Sequence, residues 1–143
     1  MTVPTSHCQS WGIDAPNPDL FWHEPSLPGR ISYVLQYAIR APSTHNVQPW
    51  LFQVDDKSCT VFLDTSKTLP HGDPTGRDAY MSVGCCIENL VVAARYFGIY
   101  EGEDFLPAEQ GQSGRVGIVR IRFKESAGPD ATWQALTEAI FCR

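Results

Sequence analysis

From residue 29 onward the apolar positions fall into helical step. Ile31, Val34, Leu35, Ala38 and Ile39 sit at i, i+3, i+4, i+7 and i+8, the one-sided stripe of an amphipathic helix. Pro42 ends that helix, because the residue before a proline is pushed toward extended backbone, and the same effect turns Gln48-Pro49 into a strand entry. The pattern then changes to period two. Leu51-Phe52-Gln53-Val54 and Cys59-Thr60-Val61-Phe62-Leu63 flank the polar Asp55-Asp56-Lys57-Ser58, as in an antiparallel hairpin, with Trp50, Phe52 and Val54 on one face.

Helical spacing returns after Asp73-Pro74, where a carboxylate before a proline at the first helical position is a good start signal. Tyr80, Val83, Gly84, Ile87, Leu90, Val91, Ala94 and Phe97 make a broad apolar stripe, with Gly98 as the stop. This is the expected core helix. Beyond a loop of Gly, Gln and Ser, residues 116–123 alternate as a strand, Val119, Ile121 and Phe123 on one face and Ile118, Arg120 and Arg122 on a solvated one. A last helix is expected to begin near Asp130 and to bury Trp133, Leu136 and Ile140. The fold class is therefore α+β, an antiparallel sheet packed on a long central helix.

Residues 1–29 follow no period. They hold five prolines (Pro4, Pro16, Pro18, Pro25, Pro28) with Trp11, Phe21 and Trp22, which suggests an arm without regular structure that docks its aromatics on an apolar surface. The organisation expected is this arm followed by a domain over residues 30–143. His7 and His23 are expected at the surface.

Composition narrows the function. A length of 143 residues with 43% hydrophobic residues suits one domain with a real core. A net charge of −5 speaks against a nucleic-acid binder, which needs a basic face. The opening Met1-Thr2-Val3-Pro4 shows no cationic region leading into an apolar core, so no secretory signal is expected. The longest apolar run, residues 90–94, is far too short to span a bilayer. The five cysteines, Cys8, Cys59, Cys85, Cys86 and Cys142, contain no Cys-x-x-Cys pair and are read as reduced thiols of a cytoplasmic protein. Cys85 and Cys86 invite a redox reading, but neighbours on a helix point about 100° apart, and small core-filling residues is the plainer one. No His/Cys spacing suits a metal, and no Gly-rich phosphate loop is present.

The candidate chemistry lies between the first helix and the hairpin. Ala41-Pro42-Ser43-Thr44-His45-Asn46-Val47-Gln48-Pro49-Trp50 packs hydroxyls, an imidazole and two carboxamides into one loop between rigid elements, which is where binding residues concentrate. Taken alone, Ser and Asn are also ordinary turn residues. A Ser43/His45 nucleophile pair is disfavoured, since residues two apart rarely align for proton transfer and no orienting acid is near.

This loop, Ala-Pro-Ser-x-x-Asn-x-Gln-Pro-Trp before an aromatic strand, resembles the nitroreductase family of FMN-dependent oxidoreductases. Asp73-Pro74-Thr75-Gly76-Arg77, running into a helix with Ser82-Val83-Gly84-Cys85-Cys86-Ile87-Glu88-Asn89-Leu90, is similar to a central helix of the tandem branch, in which two nitroreductase-like halves share a chain. The likeness covers residues 30–143. It implies half of the nitroreductase fold, FMN as cofactor, and NAD(P)H and a small electron acceptor as partners in ping-pong hydride transfer. Pro42, Ser43, Thr44, Asn46 and Gln48 would surround the flavin, and Arg77 would serve its phosphate or ribityl side. No catalytic acid, catalytic base or metal ligand is implied.

One departure shapes the expectation. Family members clamp the FMN phosphate with an Arg-x-Ser-x-Arg-like segment ahead of the first helix, whereas residues 1–30 contain a single arginine, Arg30. In the tandem branch the corresponding arginines begin just after a helix like residues 135–143. The expectation is an N-terminal half that works as a homodimer or with a missing C-terminal half. The alternatives are a non-catalytic flavin-binding or flavin-sequestering protein, with the arm as a cover, and a half-domain that binds no cofactor alone.

Overall fold

The two strongest periodic segments do form the two longest helices, and they pack on each other. A computed structural model describes residues 15–107 and 114–142. Chain order is α1 (Pro18–His23), α2 (Leu27–Ala38), β1 (Trp50–Val54), β2 (Ser58–Asp64), α3 (Arg77–Tyr96), β3 (Tyr100–Phe105), β4 (Arg115–Phe123) and α4 (Gln134–Ala139), with single 3-10 turns at Thr44–Asn46, Thr65–Lys67 and Ala131–Trp133. The strands form one antiparallel sheet in the order β1-β2-β4-β3. Expectations about Trp11, His7 and Cys8 lie outside the described residues.

Helix α2 begins where Ser26 Oγ accepts from the Gly29 N–H at 3.1 Å, satisfying one of the free donors of a helix start. Its Ile31, Val34 and Ala38 are fully buried against α3. Asn89 Nδ2 on α3 donates to the Tyr37 carbonyl at 3.3 Å. Beneath them Cys59, Val61 and Leu63 of β2 and Val119, Ile121 and Phe123 of β4 complete the core. Val61 faces Val119 and Cys59 faces Ile121, so period two delivers both strands to one apolar layer.

The structure corrects the expectations in several places. The arm is not without regular structure: Pro18–His23 is a short helix, capped by Asn17 Oδ1 on the Asp19 N–H at 3.0 Å. Phe21 is fully buried against Phe97, their ring centroids 4.3 Å apart, so this part of the arm docks as expected. Asp73 does not begin the core helix. Residues 73–76 form a turn, Gly76 caps α3 from the left-handed region at φ 70°, and the buried Asp73 carboxylate reaches forward to accept from the Ala79 N–H at 2.9 Å. Tyr80 and Gly84 belong to the outward face of α3, not the core stripe, while Cys86 is buried. Leu136 is exposed and Thr137 takes the inward position.

Strand β3 falls where a loop was expected. Its sequence Tyr-Glu-Gly-Glu-Asp-Phe is poor in strand formers, but an edge strand needs no two-sided burial. Glu101 and Asp104 on β3 pair with Arg122 of β4, which gives the cationic face of β4 its counterions. Gly98, the stop of α3, is required: a Cβ there would lie 2.3 Å from the Gly128 carbonyl oxygen, at a φ of 70°.

Candidate functional site

The loop between α2 and β1 is pinned at both ends and strained in between. Ala41, Pro49 and Trp50 are buried. Ser43 Oγ accepts from the Gln48 N–H at 3.0 Å, the Asn46 N–H donates to the Ser43 carbonyl at 2.9 Å, and Lys67 Nζ donates to the Gln48 carbonyl at 3.3 Å. Inside this frame His45, Asn46 and Gln48 have φ of 51°, 55° and 51°. Asn tolerates the left-handed region through its short polar side chain, but His and Gln pay roughly 1–2 kcal/mol each there. Strain of this kind persists where surrounding contacts over-determine the backbone, and it clusters at binding sites.

Beside the loop lies a groove of about 270 Å³ between Pro42, Ser43 and Thr44 on one wall and Asp78, Met81, Ser82 and Cys85 of α3 on the other. Its floor is mainly apolar. Ser82 spends its proton on the Asp78 carbonyl at 2.7 Å, whereas Ser43, whose oxygen accepts from the loop, keeps its own proton for donation. The structure thus brings together three of the six expected binding residues, Pro42, Ser43 and Thr44. Asn46, Gln48 and Arg77 are not on the groove wall. Asn46 and Arg77 are exposed nearby, and Gln48 serves the loop backbone.

The α3 wall was missed in the sequence. Asp78, Met81, Ser82 and Cys85 recur at i, i+3, i+4 and i+7, a second helical stripe beside the core stripe, and that spacing is the signal that could have found it. Met81 is 56% exposed and Tyr80 48% exposed, large apolar area for a solvent-facing helix surface.

The thiols divide by burial. Cys85 is free and exposed in the groove, while Cys86 is buried and its thiol is pushed up by desolvation, which holds it in the unreactive protonated form. Cys59 is likewise pushed up to about 12. Cys142 is disulfide-bonded, which corrects the reading of all five cysteines as reduced. The Ser43 and His45 side chains share no hydrogen bond among the described residues; the Ser43 oxygen is engaged by the Gln48 amide. Among the described residues no group of three or more potential metal ligands converges, and no helix is long and apolar enough to cross a membrane.

No protein-family model matches the chain. A 63-residue segment is 38% identical to "Putative NAD(P)H nitroreductase acg" of Mycobacterium tuberculosis, covering 44% of this chain and 19% of that one. A second protein of the same organism with the same kind of name is 40% identical over 65 residues, 46% of this chain and 19% of its own length. The matched segment therefore spans about a fifth of these relatives. In three dimensions the chain resembles a crystal structure described as a "Putative NADH Oxidase" from Clostridium acetobutylicum, with a TM-score of 0.50 at 17% identity over 71% of this chain and 76% of that one. At that identity the likeness establishes the fold alone. Over that segment the chain is similar in sequence to proteins named as nitroreductases, and its α+β half-fold is that of the Clostridium structure.

Proposed function

We propose that the chain forms one side of the flavin site of an FMN-dependent NAD(P)H oxidoreductase of nitroreductase type. The observation that carries this reading is the groove itself, a shallow apolar floor beside the strained loop with hydroxyl donors at its rim. A flat aromatic ring with a polar edge needs that combination. FMN, when bound, supplies hydride transfer from a nicotinamide to a small acceptor. Ser43 and Thr44 would hold the ring edge, Pro42 would stiffen the wall, and Met81 and Cys85 would supply apolar surface to the ring. Asn46 and Gln48 keep the loop in shape, and Arg77 stands nearby for the phosphate.

The fit is that of a half-site. About 270 Å³ falls below the roughly 300–1,000 Å³ of complete small-molecule sites. Asp78 on the wall opposes a phosphate, and Arg77 offers one guanidinium where a dianion calls for more. A second copy or a second half completes the site, across the exposed Tyr80, Met81 and Gly84 face of α3. The same observation favours the second reading, a half-domain that holds no cofactor by itself.

Titrating FMN into the purified chain while following flavin fluorescence and mass by light scattering tests both. Dimers with bound flavin that NADPH bleaches support the oxidoreductase reading, and Thr44→Val should then weaken binding. A chain that takes up flavin in no oligomeric state excludes completion of the site by a second copy and supports the second reading.

A further inference from the structure

A second cavity, larger than the groove, lies at the opposite end of α3. Ser82 and Arg95 are thirteen residues apart on the helix, roughly 20 Å at 1.5 Å per residue. The cavity holds about 500 Å³ and includes Arg95, Tyr100, Lys124, Asp130 and Trp133 in its walls. The Arg95 guanidinium is clamped between two rings, 4.4 Å from the Tyr100 centroid and 4.7 Å from that of Trp133. Its Nε is buried without a hydrogen-bond partner, and among the described residues Arg95 joins no ion pair.

From this arrangement we infer that the cavity is a binding site for a phosphate-bearing small molecule. Three features point the same way. A planar guanidinium already immobilised by aromatic faces loses little freedom when it engages an oxyanion, and its fork matches phosphate geometry. A buried donor with no partner is destabilising, and a ligand oxygen at the guanidinium would relieve it. Finally, in a chain of net charge −5, this wall carries two cations, Arg95 and Lys124, against one carboxylate. That carboxylate, Asp130, is turned to the Thr132 N–H at 3.0 Å as the cap of a 3-10 turn. Lys124 is placed by its backbone, whose N–H donates to the Ile99 carbonyl at 2.8 Å directly after β4. With both faces of the guanidinium covered, ligand oxygens approach its edge. Charge and planarity, not ring stacking, therefore select the ligand.

Isothermal titration calorimetry on the full chain with inorganic phosphate, pyrophosphate and glycerol phosphate tests the site. Saturable one-to-one binding is expected. Pyrophosphate binding tighter than glycerol phosphate identifies an inorganic or diphosphate ligand, and the reverse order a phosphate ester. Arg95→Met and Lys124→Met should each weaken binding by roughly tenfold or more, the loss of one charge-assisted hydrogen bond, and Asp130→Asn, which keeps the capping oxygen, should tighten it. Lys124→Met and Asp130→Asn keep the test decisive if Arg95→Met fails to fold. Absence of saturable binding by all three anions, binding indifferent to Lys124→Met and Asp130→Asn, or binding abolished by Arg77→Met, which would place the anion at the groove, overturns the proposal.

Discussion

The two ends of α3 solve opposite problems with one helix. At its N-terminal half the outward face is left open: Tyr80, Met81 and Cys85 are exposed, and a Cβ on Gly84 would meet nothing within 4 Å among the described residues. At its C-terminal end the chain closes tightly. Phe97 is fully buried among Phe21, Trp22, Tyr33, Tyr37 and Tyr96, and Gly98 is pressed against Gly128. The difference teaches where stability and where association should reside. The closed end holds the domain together by itself, whereas the open end is the surface on which a proposed flavin site awaits its other side.

That division is most severely tested at Phe97. Phe97→Ala removes the ring at the centre of the aromatic cluster and should destabilise the domain by about 3–5 kcal/mol, the usual loss for a buried phenylalanine. Urea unfolding followed by circular dichroism measures it, and a loss below about 1 kcal/mol would show that the cluster is not the anchor of the closed end.

The buried thiols supply the next effect. Burial raises Cys59 from 9.0 to about 12, and it raises Cys86 and the Tyr37 hydroxyl as well. In each case the unfolded chain gives up its proton first. The stability these groups contribute is therefore fully present below pH 9 and is lost as pH rises through the folded values. Denaturation midpoints should fall steadily from pH 9 to 12, and Cys59→Ala should flatten that slope. A midpoint constant over this range would show that the thiols reach water more freely than their burial implies.

How much of this could be read from the chain depends on how each element earns its place. The α2 and α3 stripes, the β1-β2 hairpin and the inward face of β4 were legible because burial wrote apolar residues at a fixed period. Strand β3 was not: it is held by backbone pairing and by the Arg122 ion pairs, neither of which needs apolar letters. Helix α1 hid inside a proline-rich arm, although Asn17-Pro18 is itself a start signal. At the candidate site, the loop stood out as polar residues concentrated between rigid elements, and Pro42, Ser43 and Thr44 were named through its resemblance to the nitroreductase loop. The opposite wall was missed because Asp78, Met81, Ser82 and Cys85, although spaced as a helical stripe, look like any mixed helix surface until the fold sets them across from the loop. Nor does Gln48 announce a left-handed backbone, which the fold alone imposes.

Within the loop, Ser43→Ala deletes the acceptor for the Gln48 N–H. It should cost about 1 kcal/mol, the typical net worth of one such hydrogen bond. Hydrogen exchange should report faster opening of the loop amides, with α3 unaffected. Protection unchanged at Gln48 would mean that Lys67 and the buried Pro49-Trp50 anchor hold the strained segment without Ser43.

Glycine substitutions at the two ends carry the sharpest contrast, because residue type is the same and only the surroundings differ. Gly98→Ala places a Cβ against the Gly128 carbonyl at positive φ and should destabilise by about 1–3 kcal/mol. Gly84→Ala meets open space in mid-helix, so it should raise the stability of the monomer by roughly 0.5–1 kcal/mol through helix propensity. Gly84→Leu then separates an open face from a covered one. On a bare surface it leaves melting temperature and mass unchanged within the range of ordinary surface substitutions. If a second copy packs closely over Gly84, the added volume should shift sedimentation from dimer toward monomer. A Gly84→Leu chain that still dimerises with unaltered affinity would move the association surface elsewhere on the molecule, and with it the other side of the groove.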